Sequence, residues 1–498
     1  MKHSILSIAL LAGMANAFAQ PMLVRDINPG TASSTPSRLA AMGKKLVFSA
    51  NDGTNGFELW VRDTSGANLA FNINPASASS MSTTANRSMA MSGKFIYFPA
   101  NNGTSGTELY RWDGTNPPML AAEIWSGTNS SGVDEVISYK GKIYFDANDG
   151  INGEELWVYD TTSNTATRLT DVNNAGSSTV SSITVYDTLI YFTAFNNTVG
   201  TELYSYNPNT NSTMLVSDIE AGISSSSPNN LTVIAGKLYF TAFTTANGRE
   251  LYSYNGMNVM RLTDIVVGSN SSINNTSTGA KIIAALGTKI YFAGNDGTNF
   301  GHLYAYDPAN GNTALVYRTN PIGNSNINTI FAVKNKLYFG AENGVNGNEL
   351  WMYNGTATPS MIADIYSGSL SSSPTDFLQM DKTIYFRATD SANGTELFSL
   401  MDSTLSIKNI AFAGNVNVYP NPTAGNVNMD ITLEKAATLS VTVADMAGRV
   451  VYQNNSTNYA VGRNNVTIPM ANAAAGVYIY SLKDEQGRMM TTGRLVKQ

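Results

Sequence analysis

The sequence predicts an all-β chain: an eight-bladed β-propeller closed by an N-terminal strand, followed by a small Ig-like β-sandwich. Three observations predict it. An acidic-Leu-aromatic triplet recurs eight times at a near-constant interval; each copy divides into four short strands joined by Gly/Asn turns; and beyond residue 415 the repeat gives way to period-two strands of a different pattern. Composition agrees. Only 13% of the 498 residues are charged, against about 25% in ordinary soluble domains, and Asn, Ser, Thr and Gly fill the difference, as short strands and tight turns require.

In chain order, the first element is a leader. Lys2 precedes an apolar run from Ile5 to Met14, and Ala17-Phe18-Ala19 offers a small-x-small site, so residues 1–19 read as a signal peptide cleaved between Ala19 and Gln20. No other stretch approaches the roughly 18 uninterrupted apolar residues of a membrane-crossing helix, so no transmembrane segment is expected. The chain has no Cys and 2 His. That excludes thiol nucleophiles, disulfides, Cys-ligated zinc and iron–sulfur clusters. With His3 in the leader, His302 is the one imidazole of the processed chain, which excludes multi-His metal sites.

The triplets begin at Glu58, Glu108, Glu155, Glu202, Glu250, His302, Glu349 and Glu396, at intervals of 50, 47, 47, 48, 52, 47 and 47 residues. Ten residues before each stands a Phe, from Phe48 to Phe386, and nineteen before it an apolar residue, from Leu39 to Phe377. Length variation therefore falls after the triplet. In the fifth copy, Asn230–Ala235, Lys237–Phe243, Glu250–Tyr254 and Asn258–Ile265 read as four strands separated by turns, a propeller blade rather than a βα unit. Each copy ends in a strand finishing near Asp-Ile, as at Asp218-Ile219, Asp264-Ile265 and Asp364-Ile365. The eighth has none behind it, and one precedes the first triplet at Leu23 to Ile27. That N-terminal strand is expected to complete the eighth blade and remove the open sheet edges. Residues 20–402 form the propeller, 403–412 a linker and 413–498 the second domain.

Trp60 through Asp63, Trp157 through Asp160 and the Asn51-Asp52-Gly53-Thr54 turn make the repeats resemble the ELWxxDGT repeat family, which is β-propeller-like. Several copies replace the later Asp-Gly with Asn-Gly or Asn-Pro. The resemblance implies a fold and an extracellular setting, not a ligand. In the second domain, Val418-Tyr419-Pro420-Asn421-Pro422-Thr423, the Asp445-x-x-Gly448-Arg449 turn, the Gly476-Val477-Tyr478-x-Tyr480 strand and a short Lys-ending tail occur in order. They resemble the type A C-terminal sorting domain of the type IX secretion system. The resemblance implies export to the periplasm, recognition by the type IX machinery, passage through the outer membrane and removal of the domain. An accessory Ig-like adhesion module is the alternative.

Residues 20–412 hold 22 Lys/Arg and 31 Asp/Glu, a formal charge of −9, so no phosphate-neutralising surface and no nucleic-acid partner are expected. The repeated Glu reads as a structural residue that caps backbone donors of the preceding turn or pairs between blades, and His302 as a diverged copy of it. No cofactor is expected. The Asn-Asp-Gly turns at 51–53, 148–150 and 295–297 raise calcium, but each offers one carboxylate where calcium takes six to eight oxygens. Blade-to-blade connections are longest from Asn72 to Met89 and from Asp264 to Ile283. Trp125 and Tyr366 occupy equivalent places in two others and could stack on a sugar; packing against the neighbouring blade is the structural alternative. The expectation is a secreted or cell-surface, monomeric, non-catalytic module that binds a glycan or protein. The alternative is a polysaccharide-degrading hydrolase or lyase using paired carboxylates, with Asp134, Glu135 and Asp376, which open inner strands toward the channel, as candidates.

Overall fold

Within each repeat the second strand is the most apolar, because both its faces are covered. In the fifth copy Leu238–Ala242 are buried without interruption, the pattern of a strand sandwiched between two neighbouring sheets rather than facing water on one side. Asn229–Ile234, Lys237–Thr244, Gly248–Tyr254 and Val259–Arg261 form an antiparallel four-stranded sheet in sequence order. Seven more sheets repeat that plan. This computed structural model describes residues 20–402 apart from 64–65, 76–77, 82–88, 175 and 274–280, and residues 414–498 apart from 434–435, 446–448, 455–456 and 485–488. The expected leader with Ala19, the 403–412 linker and the extra length of the two long connections lie outside the described residues. Two compact units divide after Ser403.

The repeat Phe is the core of each blade. All eight are fully buried, each contributing roughly 2 kcal/mol of apolar burial. The register sets Phe240 opposite Tyr252 of the triplet, with the rings stacked at 5.8 Å; Phe192–Tyr204 and Phe292–Tyr304 repeat the arrangement at 6.1 and 6.0 Å. Neighbouring blades are joined by the tyrosine that precedes this Phe, which meets an aromatic late in the next blade's third strand. Tyr97–Tyr159, Tyr191–Tyr254 and Tyr291–Tyr353 each lie 5.7 Å apart. At the seam between the eighth and first blades the Arg62 guanidinium lies 5.4 Å from the Tyr385 ring instead.

The first strands contact one another around the ring, and Thr375–Met380 of the eighth blade meets Ser37–Met42 of the first. They are thus innermost and line the channel. Closure is as expected: Met22–Arg25 pairs antiparallel with Gly394–Met401, with Leu23 opposite Phe398. The strand stops at Arg25, two residues short of Ile27, because the N–H groups of Ile27 and Asn28 turn out of the ladder onto Glu396. The same turn shortens the fourth strands. Ser360–Ala363 ends before Asp364-Ile365, whose Ile365 N–H turns onto Glu349, and that dipeptide belongs to the connection.

The second unit is a β-sandwich. One sheet orders Gly414–Tyr419, Val427–Leu433 and Gly462–Ile468; the other orders Val450–Gln453, Ala437–Asp445, Gly476–Asp484 and Met489–Lys497, with Thr457–Tyr459 also paired to Ala437–Asp445. Alternate residues of both sheets, including Met429, Ile431, Val441, Val443, Leu482 and Leu495, form one buried core.

Candidate functional site

The triplet acid is a fully buried blade-to-blade tie. Glu349 accepts the backbone N–H of Ile365 at 2.7 Å, the N–H of Ser372 at 3.0 Å and the Ser372 hydroxyl at 2.7 Å. Glu58 does the same with Ile73 and Ser80, and Glu202 with Ile219 and Ser226. The donors belong to the connection leaving the blade, not to the turn before it. Each such serine also hands its carbonyl to the next blade's second strand, as in Asn101 N–H to Ser80 O at 2.7 Å and Thr389 N–H to Ser372 O at 2.8 Å. Burial raises the carboxyl pKa of all seven glutamates, with these hydrogen bonds opposing it. In the sixth blade His302 keeps the serine through Nδ1 to Ser325 Oγ at 2.7 Å and sets Nε2 3.5 Å from Asp296. Burial lowers its pKa, against the pull of Asp296. A turn glycine beside each triplet completes the joint. All eight take φ between +66° and +76°, and a Cβ on Gly106 would stand 1.9 Å from the Asn129 carbonyl.

The serine was the functional residue of the scaffold that sequence reasoning missed. Ser34, Ser131, Ser178, Ser226, Ser325 and Ser372 each stand five residues before the inner-strand anchor, a period present in the sequence. Runs such as Ser224–Ser227 hide it, because only the structure tells which serine is buried.

Each of the three candidate channel acids is held in a structural contact. Asp134 pairs with Arg38 at 3.2 Å, a fully buried side chain from two blades earlier. Glu135 accepts the Ile183 N–H of the following blade at 2.8 Å. Asp376 pairs with Arg387 at 3.1 Å, and burial raises its pKa while Arg387 opposes the rise. Between Asp134 and Glu135 lies an acid that the sequence did not single out. Asp146 accepts the N–H of Glu135 at 2.7 Å and that of Asp134 at 3.3 Å; burial first, and Glu135 second, push its carboxyl far above the usual range. Among the described residues no three acidic or His side chains converge in a metal-holding group.

Two of the three Asn-Asp-Gly turns spend their carboxylates internally, while Asp296 of the third adds an ion pair with Arg318 at 2.8 Å to its turn bonds. Asp52 accepts the N–H groups of Thr54 and Asn55 at 2.9 and 2.8 Å and the Asn55 amide at 2.7 Å; Asp149 repeats all three contacts. Burial raises the Asp52 pKa, but these bonds outweigh it and the net value is lowered. Trp125 is half-buried, and its ring lies over Gly150 of the next blade's turn, where a Cβ would come within 2.3 Å of the ring. Tyr366 is half-buried in the equivalent slot. The same face carries a set of exposed apolar tips: Ile223, Val267, Ile322 and Leu370 on blade-to-blade connections, Phe300 and Val345 on second-to-third-strand turns.

In the second unit, the Tyr419-to-Thr423 segment is fastened to the last strand. Asn421 donates to the Arg494 carbonyl at 2.9 Å and accepts the Val496 N–H at 2.8 Å, and Thr423 N–H reaches Val496 O at 2.8 Å. Pro420 and Pro422 follow cis peptide bonds. Arg449 bonds back to Asp445 through its backbone N–H and its Nε, at 3.0 and 2.7 Å, while its side chain stays exposed. Tyr478 is buried and donates to the Ala474 carbonyl at 2.8 Å; Gly476 begins the strand that carries it. Gly448 lies outside the described residues. Residues 417–498 match the secretion system C-terminal sorting domain family. The protein therefore carries a type IX sorting domain and is secreted across the outer membrane to the cell surface or the medium. Among the described residues no helix is long and apolar enough to cross a membrane.

No curated protein matches the chain. Among solved structures it is similar to PorZ, an essential bacterial surface component of the type-IX secretion system of Porphyromonas gingivalis, at 15% identity and TM-score 0.42, over 92% of this chain and 65% of that one. It is also similar to a puromycin-hydrolyzing peptidase of Mycobacterium tuberculosis, at 10% identity and TM-score 0.46, over 75% of this chain and 61% of that one. The chain spans less than two thirds of either.

Proposed function

We propose that the protein is a secreted, non-catalytic binding module whose propeller holds a protein partner on its loop-rich face. The carrying observation is the set of apolar tips. Ile322 is 93% exposed and Val345 70%, and with Ile223, Val267, Phe300 and Leu370 they span one face of the later blades. Exposed aliphatic groups on a rigid scaffold, rimmed by Asp218, Glu220 and Asp364, have the make-up of a protein-binding patch with a polar border. Tyr366 lies on the same face. The ELWxxDGT-like repeats fit a scaffold role, since their repeated acids are consumed in joints between blades. Engagement of Asp134 with Arg38, Glu135 with the Ile183 N–H and Asp376 with Arg387 supports binding over catalysis.

The test is a panel of purified extracellular and surface proteins, with a glycan array beside it, probed with the full chain and with Ile322→Asp/Val345→Asp. Loss of about tenfold in affinity for a protein, about 1.4 kcal/mol, supports the reading. Glycan binding abolished by Trp125→Ala/Tyr366→Ala would replace the protein partner with a sugar. Polysaccharide turnover abolished by Glu135→Gln would overturn the non-catalytic reading.

A further inference from the structure

The opposite face carries a charge pattern that net charge conceals. The turns joining first to second strands all fall on it, and because those strands are innermost the turns ring the channel mouth. Ten of the twelve lysines in residues 20–412 stand on these turns or on the strand residue that directly follows them, five in each place and in seven of the eight blades; the fourth carries Asp187 instead. No arginine joins them. Most acids of that face, such as Asp113 and Asp307, lie on the third-to-fourth-strand turns toward the outer rim, where Arg111 also bonds Asn164; on the inner turns the acids are Asp187 and Asp381, against ten lysines. Two lysines are neutralised locally, Lys142 by Asp160 at 3.0 Å and Lys336 by Asp402 at 2.7 Å. Lys44, Lys237, Lys289 and Lys382 are exposed.

Turn geometry does not demand lysine there. Gly43, Gly93 and Gly287 take left-handed φ of +60°, +58° and +61° at the first turn position, and Lys140 and Lys334 adopt +49° and +51° at the same place. A side chain in that region costs about 1 kcal/mol relative to glycine. Asp187, Ala235 and Asp381 take the same region at +55°, +47° and +51°, so the position admits several side chains and lysine there is not a requirement of the turn.

We infer that this lysine-ringed mouth binds an acidic polysaccharide. A ring of flexible ammonium groups gathers dispersed carboxylates or sulfates as point charges, whereas paired, planar recognition of phosphate favours arginine. Export delivers the face to the exterior, where such polymers are its accessible polyanions. The site is separate from the loop-rich face, so the two readings stand or fall independently.

The experiment uses the full chain and immobilised alginate, a polyuronate, with neutral dextran and a DNA duplex as comparisons. The chain should bind alginate and not dextran, with affinity falling as salt rises from roughly 50 to 200 mM. Lys44→Glu/Lys237→Glu/Lys289→Glu/Lys382→Glu should lose at least about tenfold of that affinity, while Lys281→Glu, outside the ring, should lose none. The corresponding Lys→Gln set guards against misfolding by charge reversal and should show a smaller loss in the same direction. Equal binding of dextran, unchanged binding by both ring variants, or tighter binding of DNA than of alginate would each overturn the inference.

Discussion

The tie at Glu396 is the one that holds the ring shut without a covalent connection behind it. It accepts the N–H groups of Ile27, Asn28 and Ser34 at 3.2, 3.3 and 3.1 Å, and the Ser34 hydroxyl at 2.5 Å. Glu396→Ala leaves four donors without that acceptor. At about 1–3 kcal/mol each, the gross cost is roughly 4–12 kcal/mol before water enters. An opposing effect depends on pH. Burial pushes the Glu396 carboxyl up to about 7 from 4.5, its hydrogen bonds notwithstanding. The folded value lies above the unfolded one, so the linked stability is fully present below 4.5 and is lost as pH rises through about 7. Between about pH 5 and pH 8 this amounts to about 2–3 kcal/mol, and the alanine variant lacks it. The gap between parent and variant should therefore be about 3–5 kcal/mol at pH 8 and wider by about 2–3 kcal/mol at pH 5. Urea unfolding of residues 20–402, followed by tryptophan fluorescence, reads both gaps. Limited proteolysis should cut residues 20–33 faster in Glu396→Ala than in Glu202→Ala, where the tied strand continues the chain. A gap that narrows toward pH 5, or equal proteolysis of the two variants, would refute the reasoning.

Gly150→Ala should displace the Trp125 ring and destabilise the third blade by at least about 2 kcal/mol, combining left-handed strain with overlap; a red-shifted tryptophan emission and lower melting temperature check it, and unchanged emission counts against the packing. Asp134→Asn leaves the buried Arg38 without its carboxylate and should cost about 3–5 kcal/mol in urea denaturation, while Arg38→Met/Asp134→Leu should cost less. Deleting residues 413–498 should leave the protein in the periplasm, as read by fractionation; normal release of that truncation would remove the sorting role.

Much of this architecture was legible because it repeats. One triplet, one Phe and one apolar anchor per copy, counted eight times, specify four strands and eight blades, and a missing last strand at one end matched by a spare at the other specifies closure. The sorting domain was readable for a different reason: Asn421, Pro422, Arg449 and Tyr478 lie in short contiguous motifs whose contacts are largely local or with one neighbouring strand. Gly462–Ile468 escaped, since Arg463, Asn464 and Asn465 interrupt its apolar alternation.

What sequence alone determined, then, was periodic: secondary structure, blade count, export route and the confinement of acids to a repeated slot. Tertiary structure decided everything that depends on which residues of different copies meet. Only folding picks one buried serine from a run of four, sets Trp125 over Gly150, carries Arg38 past a blade to Asp134, and gathers lysines scattered over some 340 residues, from Lys44 to Lys382, into one circle. Periodicity along a chain fixes local geometry because backbone sterics act between near neighbours. Closure of a ring brings together groups that are distant in sequence, and the burial and charge they then share exist only in the closed form.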